Sequence, residues 1–410
     1  MWHINEREAQ KLLKDMIAID SVNPGLVPGG AGEEAMANYI LDYLTSLEIP
    51  ARLDHITPGR PNVVGLLASS KTPEGSGINR STGYDGEFDF FDGRHGLILN
   101  GHLDTVGTEG MEIEPLVATI DGNRVYGRGS FDMKGGLVMG LLALAAVKRA
   151  KVGLEKSVLL TGVVDEEYSS IGTEDVVRRY RADAAVVMEP TGLELCLAHK
   201  GFAWLTVETY GRAAHGSDYR RGIDAITKMG RFLSALETLD QEYSKGKGHP
   251  LLGRRSIHSS LIEGGRELST YPDYCKARFE RRTLPGEDPA AITAEVKALC
   301  DDLSMGDPEF DARIALDFLR RGYEIEEDHP VAKAFAASIS AVTGKEPKVI
   351  GMAGWLESAL LGEAGIPSVI FGPAGDGAHA AAEYVLLDTV IAGAEILADA
   401  IVRLCGDGCR

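Results

Sequence analysis

The chain has 410 residues, 44% of them hydrophobic and 25% charged, with 42 Lys and Arg against 61 Asp and Glu and a formal net charge of -19. This length calls for two domains, and the composition is that of a folded chain with a sizeable core. So acidic a surface repels phosphate backbones and anionic lipids, which excludes nucleic acid and membrane as expected partners.

No run of eighteen apolar residues is found, and the polar start Met1-Trp2-His3-Ile4-Asn5-Glu6 lacks the basic-then-apolar pattern of a secretory signal, so a cytoplasmic location is expected. Cys196, Cys275, Cys300, Cys405 and Cys409 are odd in number and contain no C-x-x-C pair. Neither a disulfide framework nor a thiolate zinc site is therefore expected.

Taken in chain order, Leu12, Leu13, Met16 and Ile17 follow helical spacing, and so do Met36, Ile40, Leu41, Leu44 and Leu47. Short apolar runs at residues 62–68, 97–100, 157–164, 184–188 and 368–371 read as buried strands, with helices at 137–149 and 331–342 among them. Strand and helix in alternation predict an α/β domain around a mostly parallel sheet. Residues 71–96, rich in Gly, Ser and Asp, read as an exposed excursion between two strands.

The middle of the chain differs. Residues 202–210 alternate like a strand, 225–239 read as a helix, 274–282 as a strand, 290–303 as a helix and 313–319 as a strand. That order suits an inserted α+β domain of ferredoxin-like β-α-β-β-α-β type. The expected division is residues 1–197 with 321–410 as one domain and 198–320 as the other.

Acids and histidines fall at the ends of the expected strands of the larger domain. Gly101-His102-Leu103-Asp104 follows one strand, and Asp132 sits in the Gly-rich turn that leads into the helix at 137–149. Asp165-Glu166-Glu167 follows the strand ending at Val164, Glu189 follows Met188, and Gly377-Ala378-His379 comes shortly after Phe371. Each alone has an ordinary explanation: a helix cap for Asp132, a solvated loop for the acidic pair, a turn for His379. Sites in open α/β sheets form beyond the carboxyl ends of the strands, and five such positions coincide here.

Imidazole and carboxylate without thiolate suit zinc, manganese or cobalt in a hydrolytic site. One carboxylate can bridge two ions about 3.5–4 Å apart, and a carboxylate that is not a ligand can take a proton from the water they acidify.

In this order the motifs resemble those of the M20 metallopeptidases, the group of acetylornithine deacetylase, succinyl-diaminopimelate desuccinylase, aminoacylase-1 and glutamate carboxypeptidase. The resemblance runs from Ser21-Val22-Asn23-Pro24 to Glu383-Tyr384-Val385. It implies two divalent ions, zinc first and cobalt or manganese next, with His102 and Glu189 on one, Glu167 and His379 on the other, and Asp132 bridging them through a cis peptide to Met133. It makes Asp104 the carboxylate that orients His102 and Glu166 the general base.

The inserted domain resembles the family's lid, which commonly also forms a homodimer interface. In Gly211-Arg212-Ala213-Ala214-His215-Gly216-Ser217, His215 is implied as the donor that stabilises the oxyanion. Arg282 is implied as a ligand of the substrate carboxylate, with Arg281 beside it as a competitor for the role.

The chain departs from the pattern at Trp355-Leu356-Glu357, where many relatives carry Thr-Asp, and at Ser269, where several carry Asn. The resemblance implies hydrolysis of an N-acyl amino acid, with a dipeptidase or carboxypeptidase of the same family as the alternative and, from a different functional class, a non-catalytic binding protein on the same scaffold. No G-x-G-x-x-G occurs at Gly127 to Gly136 and no G-x-S-x-G is present, which sets aside a dehydrogenase and a serine hydrolase.

Overall fold

The computed structural model describes residues 2–70 and 93–407, so the expected excursion lies outside the described residues except for its last few positions, which open a strand. Two compact units are present. One comprises Met1–Leu197, Ile325–Ile350 and Leu360–Arg410; the other comprises Ala198–Glu324 and Gly351–Ala359.

The first unit is built on a sheet whose spatial order is Ala51–Thr57, Arg60–Leu67, Val158–Val163, Arg94–His102, Arg181–Val187, Ser368–Ile370 and Leu195–His199. Val158–Val163, Arg94–His102, Arg181–Val187 and Ser368–Ile370 run parallel, whereas Ala51–Thr57, Arg60–Leu67 and Leu195–His199 are antiparallel to their neighbours. The sheet is thus mixed, with its parallel part at the centre. All six residues of Val158–Val163 and eight of the nine in Arg94–His102 are buried, as strands covered on both faces must be. The flanking strand Ala51–Thr57 was not legible as a strand, because its sequence ARLDHIT is polar and its burial only partial.

The helix Gly135–Arg149 packs with Leu387–Cys405 and Glu6–Ala18, the last capped by Asn5, which accepts from Arg7 and Glu8 N–H. Its first turn lies tight against the chain after Arg181–Val187: a Cβ on Gly136 would come within 2.0 Å of the Met188 carbonyl oxygen. Only glycine permits that approach. Together with the turn before it, this helix is long and apolar enough by composition to cross a membrane, although charged residues interrupt it as an apolar run; 89% of its apolar 18-residue window is buried.

A smaller sheet of the same unit joins Thr119–Asp121, Arg124–Tyr126, Tyr384–Leu386 and Gly375–Asp376. It holds the hairpin that carries His379 against the segment leading to Asp132.

In the second unit the order is strand, helix, strand, strand, helix, strand: Gly201–Tyr210, Ala225–Tyr243, Ser256–Gly264, Tyr274–Thr283, Pro289–Gly306 and Asp311–Arg320. Its four strands are antiparallel in the order Ser256–Gly264, Tyr274–Thr283, Gly201–Tyr210, Asp311–Arg320. Ala203, Leu205 and Val207 alternate inward onto Met229, Phe232 and Leu236 of one helix and Ile292 and Val296 of the other. The strand Ser256–Gly264 escaped the sequence reading because it is an edge strand, exposed from His258 onward and without a buried alternation.

His199 is fully buried, with Nδ1 2.9 Å from the Lys200 carbonyl oxygen and its ring beside those of Tyr323 and Trp355. Burial, only partly offset by the carbonyl, pulls this imidazole from its ordinary 6.5 down to about 4. The unfolded chain therefore takes up a proton across that window that the folded unit refuses, and stability rises with pH through it. About 3 kcal/mol should be in place above pH 6.5 and gone below pH 4. Urea melts between these limits should show a shallower pH slope for His199→Phe than for the wild type; equal slopes would show that the group titrates normally in the fold.

Candidate metal centre

Neighbouring strand ends set the site. Asn100 pairs with Val187 and His102 with Val163, so the chain leaves three adjacent parallel strands at one edge of the sheet. His102 ends its strand, Glu166 and Glu167 follow Val158–Val163 through a turn at Asp165 with φ of 70°, and Glu189 follows Arg181–Val187. Asp132 lies in the turn Ser130–Lys134 ahead of Gly135–Arg149, and its peptide bond to Met133 is cis. His379 comes from the hairpin of the small sheet. The structure brings these six residues together within the first unit.

The geometry has two lobes sharing one carboxylate. His102 Nε2 lies 3.1 Å from Asp132 Oδ1 and 3.6 Å from Glu189 Oε1. His379 Nε2 lies 3.3 Å from Asp132 Oδ2 and 3.1 Å from Glu167 Oε2. Each oxygen of Asp132 thus faces a different imidazole. Ligand-type atoms of His102, Asp132 and Glu167 cluster within 4.8 Å of one another, and those of His102, Glu166 and Glu189 do likewise. His102 and Glu189 are buried, and the Glu167 side chain is 6% exposed; the His379 side chain is 55% exposed.

Burial opposes charge on His102, but Glu189, Asp132 and Glu166 outweigh it and lift the imidazole well above its ordinary range. Hydrogen bonds to Asp132 and Glu167 raise His379 to about 10. Asp132, desolvated yet held between the two imidazoles, stays well below the usual carboxylate range, while burial pushes Glu167 up. Carboxylates crowded in this way hold protons on the histidines unless cations replace them. Glu167 Oε1 is buried without a hydrogen-bond partner, an arrangement that is costly unless the atom has a ligand to meet. Nitrogen and oxygen donors with no sulfur complete a set that fits divalent cations.

Asp104 differs from expectation. His102 Nδ1 lies 2.9 Å from the Asp104 main-chain oxygen and 3.7 Å from its carboxylate. A carbonyl can only accept, so Nδ1 keeps its proton, and Nε2 is the atom turned toward the carboxylates, able to bind a cation once it gives up its own proton. The Asp104 side chain instead accepts the main-chain N–H groups of Glu166 and Glu167 at 3.2 and 3.1 Å. Backbone close to the imidazole supplies the nearer acceptor, which leaves the carboxylate to hold the turn.

Asn23 donates to both Asp104, at 2.7 Å, and Asp165, at 3.1 Å, while Arg60 bridges Glu33 and Asp165. Sequence reasoning gave Asn23, Glu33 and Arg60 no role. Asn23 lies 81 positions from Asp104, and nothing local marks the pairing.

His215 and Arg282 belong to the second unit. His215 Nδ1 accepts the Ser217 N–H at 3.2 Å with the Ser217 hydroxyl 2.8 Å away, so Nε2 is the nitrogen left to carry a proton. Arg281 and Arg282 separate cleanly. The Arg281 side chain is 2% exposed and is held by Tyr243, Glu287 and Glu295, whereas that of Arg282 is 32% exposed, pairs with Glu280 and lies over Phe202. Arg281→Met should cost about 3 kcal/mol, because Glu287 and Glu295 lose their buried partner and keep only the half-exposed Arg255 at 3.4 and 3.7 Å, read as a lowered melting temperature; Arg282→Met should leave it nearly unchanged. Glu357 is buried, and the Ser269 carbonyl accepts the Gly216 N–H at 2.7 Å.

Residues 98–403 match the model of peptidase family M20/M25/M40. The chain belongs to this family. It is a metal-dependent peptidase or amidohydrolase.

An acetylornithine deacetylase of Myxococcus xanthus is 30% identical to this M20 chain over 323 residues, 77% of this chain and 81% of that one. An N-formyl-4-amino-5-aminomethyl-2-methylpyrimidine deformylase of Bacillus subtilis is 26% identical over 98% of this chain and 95% of its own. The fold matches that of the aminopeptidase PepT from Bacillus cereus with a TM-score of 0.75 at 17% identity, covering 98% of this chain and 99% of the other.

Proposed function

We propose that the protein removes the acyl group from an N-acyl amino acid, using two divalent ions, zinc first, held by His102, Glu189, Asp132, Glu167 and His379. The observation that carries this reading is the placing of Asp132, with one oxygen toward His102 and the other toward His379. Bound ions of this kind acidify water and polarise an amide carbonyl.

The residues then have distinct tasks. Glu166 takes the proton from the attacking water and returns it to the leaving nitrogen. Asp104 steadies Glu166 through its main-chain N–H. His215 offers its Nε2 proton to the oxygen that gains charge, and Arg282 receives the substrate carboxylate. The second unit is read as a lid that also joins two copies of the chain; its edge strand Ser256–Gly264 exposes Leu261 and Ile262 beside main-chain groups able to pair.

Removal of a formyl group is a second reading, favoured by the deformylase relative that matches nearly the whole chain.

The test is metal content together with turnover of N-acetyl, N-succinyl and N-formyl amino acids and a few dipeptides, before and after chelation. About two ions per chain and chelator-sensitive release of one acyl acid support the proposal. Free amino acids released from dipeptides alone would replace it with a dipeptidase, and failure to bind metal on reconstitution would sink it. Sedimentation of the same samples reads the expected dimer. His215→Ala should lower kcat by about 10²–10³ with little change in metal content; unchanged kcat would remove His215 from the mechanism.

A further inference from the structure

Glu383 lies four residues beyond His379 and is 1% exposed. Its carboxylate accepts four hydrogen bonds. Oε1 takes the main-chain N–H groups of Phe131 and Asp132 at 2.9 and 3.0 Å, while Oε2 takes the Gly129 N–H at 2.9 Å and Arg128 Nη1 at 2.8 Å. The Glu383 carbonyl also accepts the Gly127 N–H, at 3.1 Å. Arg128 continues the network to the carbonyls of Gly107 and Ala380, the second of these next to His379.

We propose that Glu383 is a positioning residue for the metal centre, holding the Asp132 turn and the His379 hairpin as one body so that the ion between Asp132, Glu167 and His379 is bound. This rests on the two-ion reading. The amides it gathers lie just ahead of Gly135–Arg149, where N–H groups have no partner within the helix and where a carboxylate is favoured by the helix dipole. One carboxylate thereby pins the main-chain nitrogen of Asp132 itself. With its own amide fixed, Asp132 has few ways left to aim its two oxygens. His379 is the most exposed of the proposed ligands and sits on a hairpin at φ of 59°, so its place depends on what anchors that hairpin. Glu383 and Arg128 supply the anchor from the Asp132 side.

Glu383→Gln is the direct test. An amide keeps one accepting oxygen but turns an NH2 toward groups that are all donors, so about half of the contacts are lost without a change in size. Wild type and variant are loaded with zinc for native mass spectrometry and with cobalt for visible absorption. Wild type should carry two ions. The variant should keep one tightly, weaken for the second by about 10–100-fold, lose the matching part of the cobalt spectrum, and regain activity when metal is raised.

Should Glu383→Gln not fold, Glu383→Asp keeps the charge and the partner of Arg128 but is too short to reach all four donors, and the same readings apply. Two ions bound with wild-type affinity and an unchanged cobalt spectrum in the folded variant would overturn the proposal and leave the two-ion reading intact. A wild type holding a single ion would overturn both.

Discussion

Glu166→Gln is expected to lower kcat by about 10²–10⁴-fold while the protein still holds as much metal as the wild type. The substitution keeps the size of the side chain and its main-chain N–H, which Asp104 Oδ1 holds at 3.2 Å. What goes is the capacity to accept a proton from water and pass it to the leaving nitrogen. The geometry makes the metal measurement necessary, because Glu166 clusters with His102 and Glu189 as closely as a ligand would. A proton-transfer role predicts that kcat and kcat/KM fall together with two ions retained. A fall in metal content that parallels the fall in rate would instead make Glu166 a ligand.

Asp132→Asn should have the larger effect on the centre. Only one of its two oxygens survives, and the nitrogen that replaces the other faces an imidazole in place of a cation. Several kcal/mol of charge stabilisation depends on the ions, so a loss of at least about 10³-fold in kcat/KM is expected, together with a metal content near one per chain. Thermal melts separate this from misfolding. After chelation, variant and wild type should melt within a few degrees of each other. With metal at about a hundred times its dissociation constant, each bound ion contributes about 2.7 kcal/mol, and the wild type should gain more than the variant. Equal gains would mean that Asp132 does not bridge.

Particular residues mark the limit of what a sequence shows. His102, Glu166, Glu167 and Glu189 were legible because a buried parallel strand is a nearly unbroken apolar run, and the polar residues at or just past its end must lie at the sheet edge; His379 lies farther on, in the hairpin of the small sheet. Strand alternation also implies that Arg281 and Arg282 point to opposite faces. Which face carries the helices is a tertiary matter, and it put Arg281 inside among Tyr243, Glu287 and Glu295 and left Arg282 accessible. Ala51–Thr57 and Ser256–Gly264 were missed because strands with one exposed side or edge can be polar, and pairing rather than composition makes them strands.

The amino-acid sequence by itself determined the alternation of strands and helices, the α+β character of the middle segment and the chemical kind of the centre, since all three depend on the order of residue types along short stretches. Tertiary structure alone decided how the centre is held. The acceptor for His102 Nδ1 is a carbonyl, the Asp104 carboxylate grips the Glu166–Glu167 turn, and Glu383 reaches back some 250 positions to Asp132. These contacts form between chemically ordinary side chains and main-chain groups that only the completed fold makes neighbours. A buried donor must find an acceptor wherever the packing offers one.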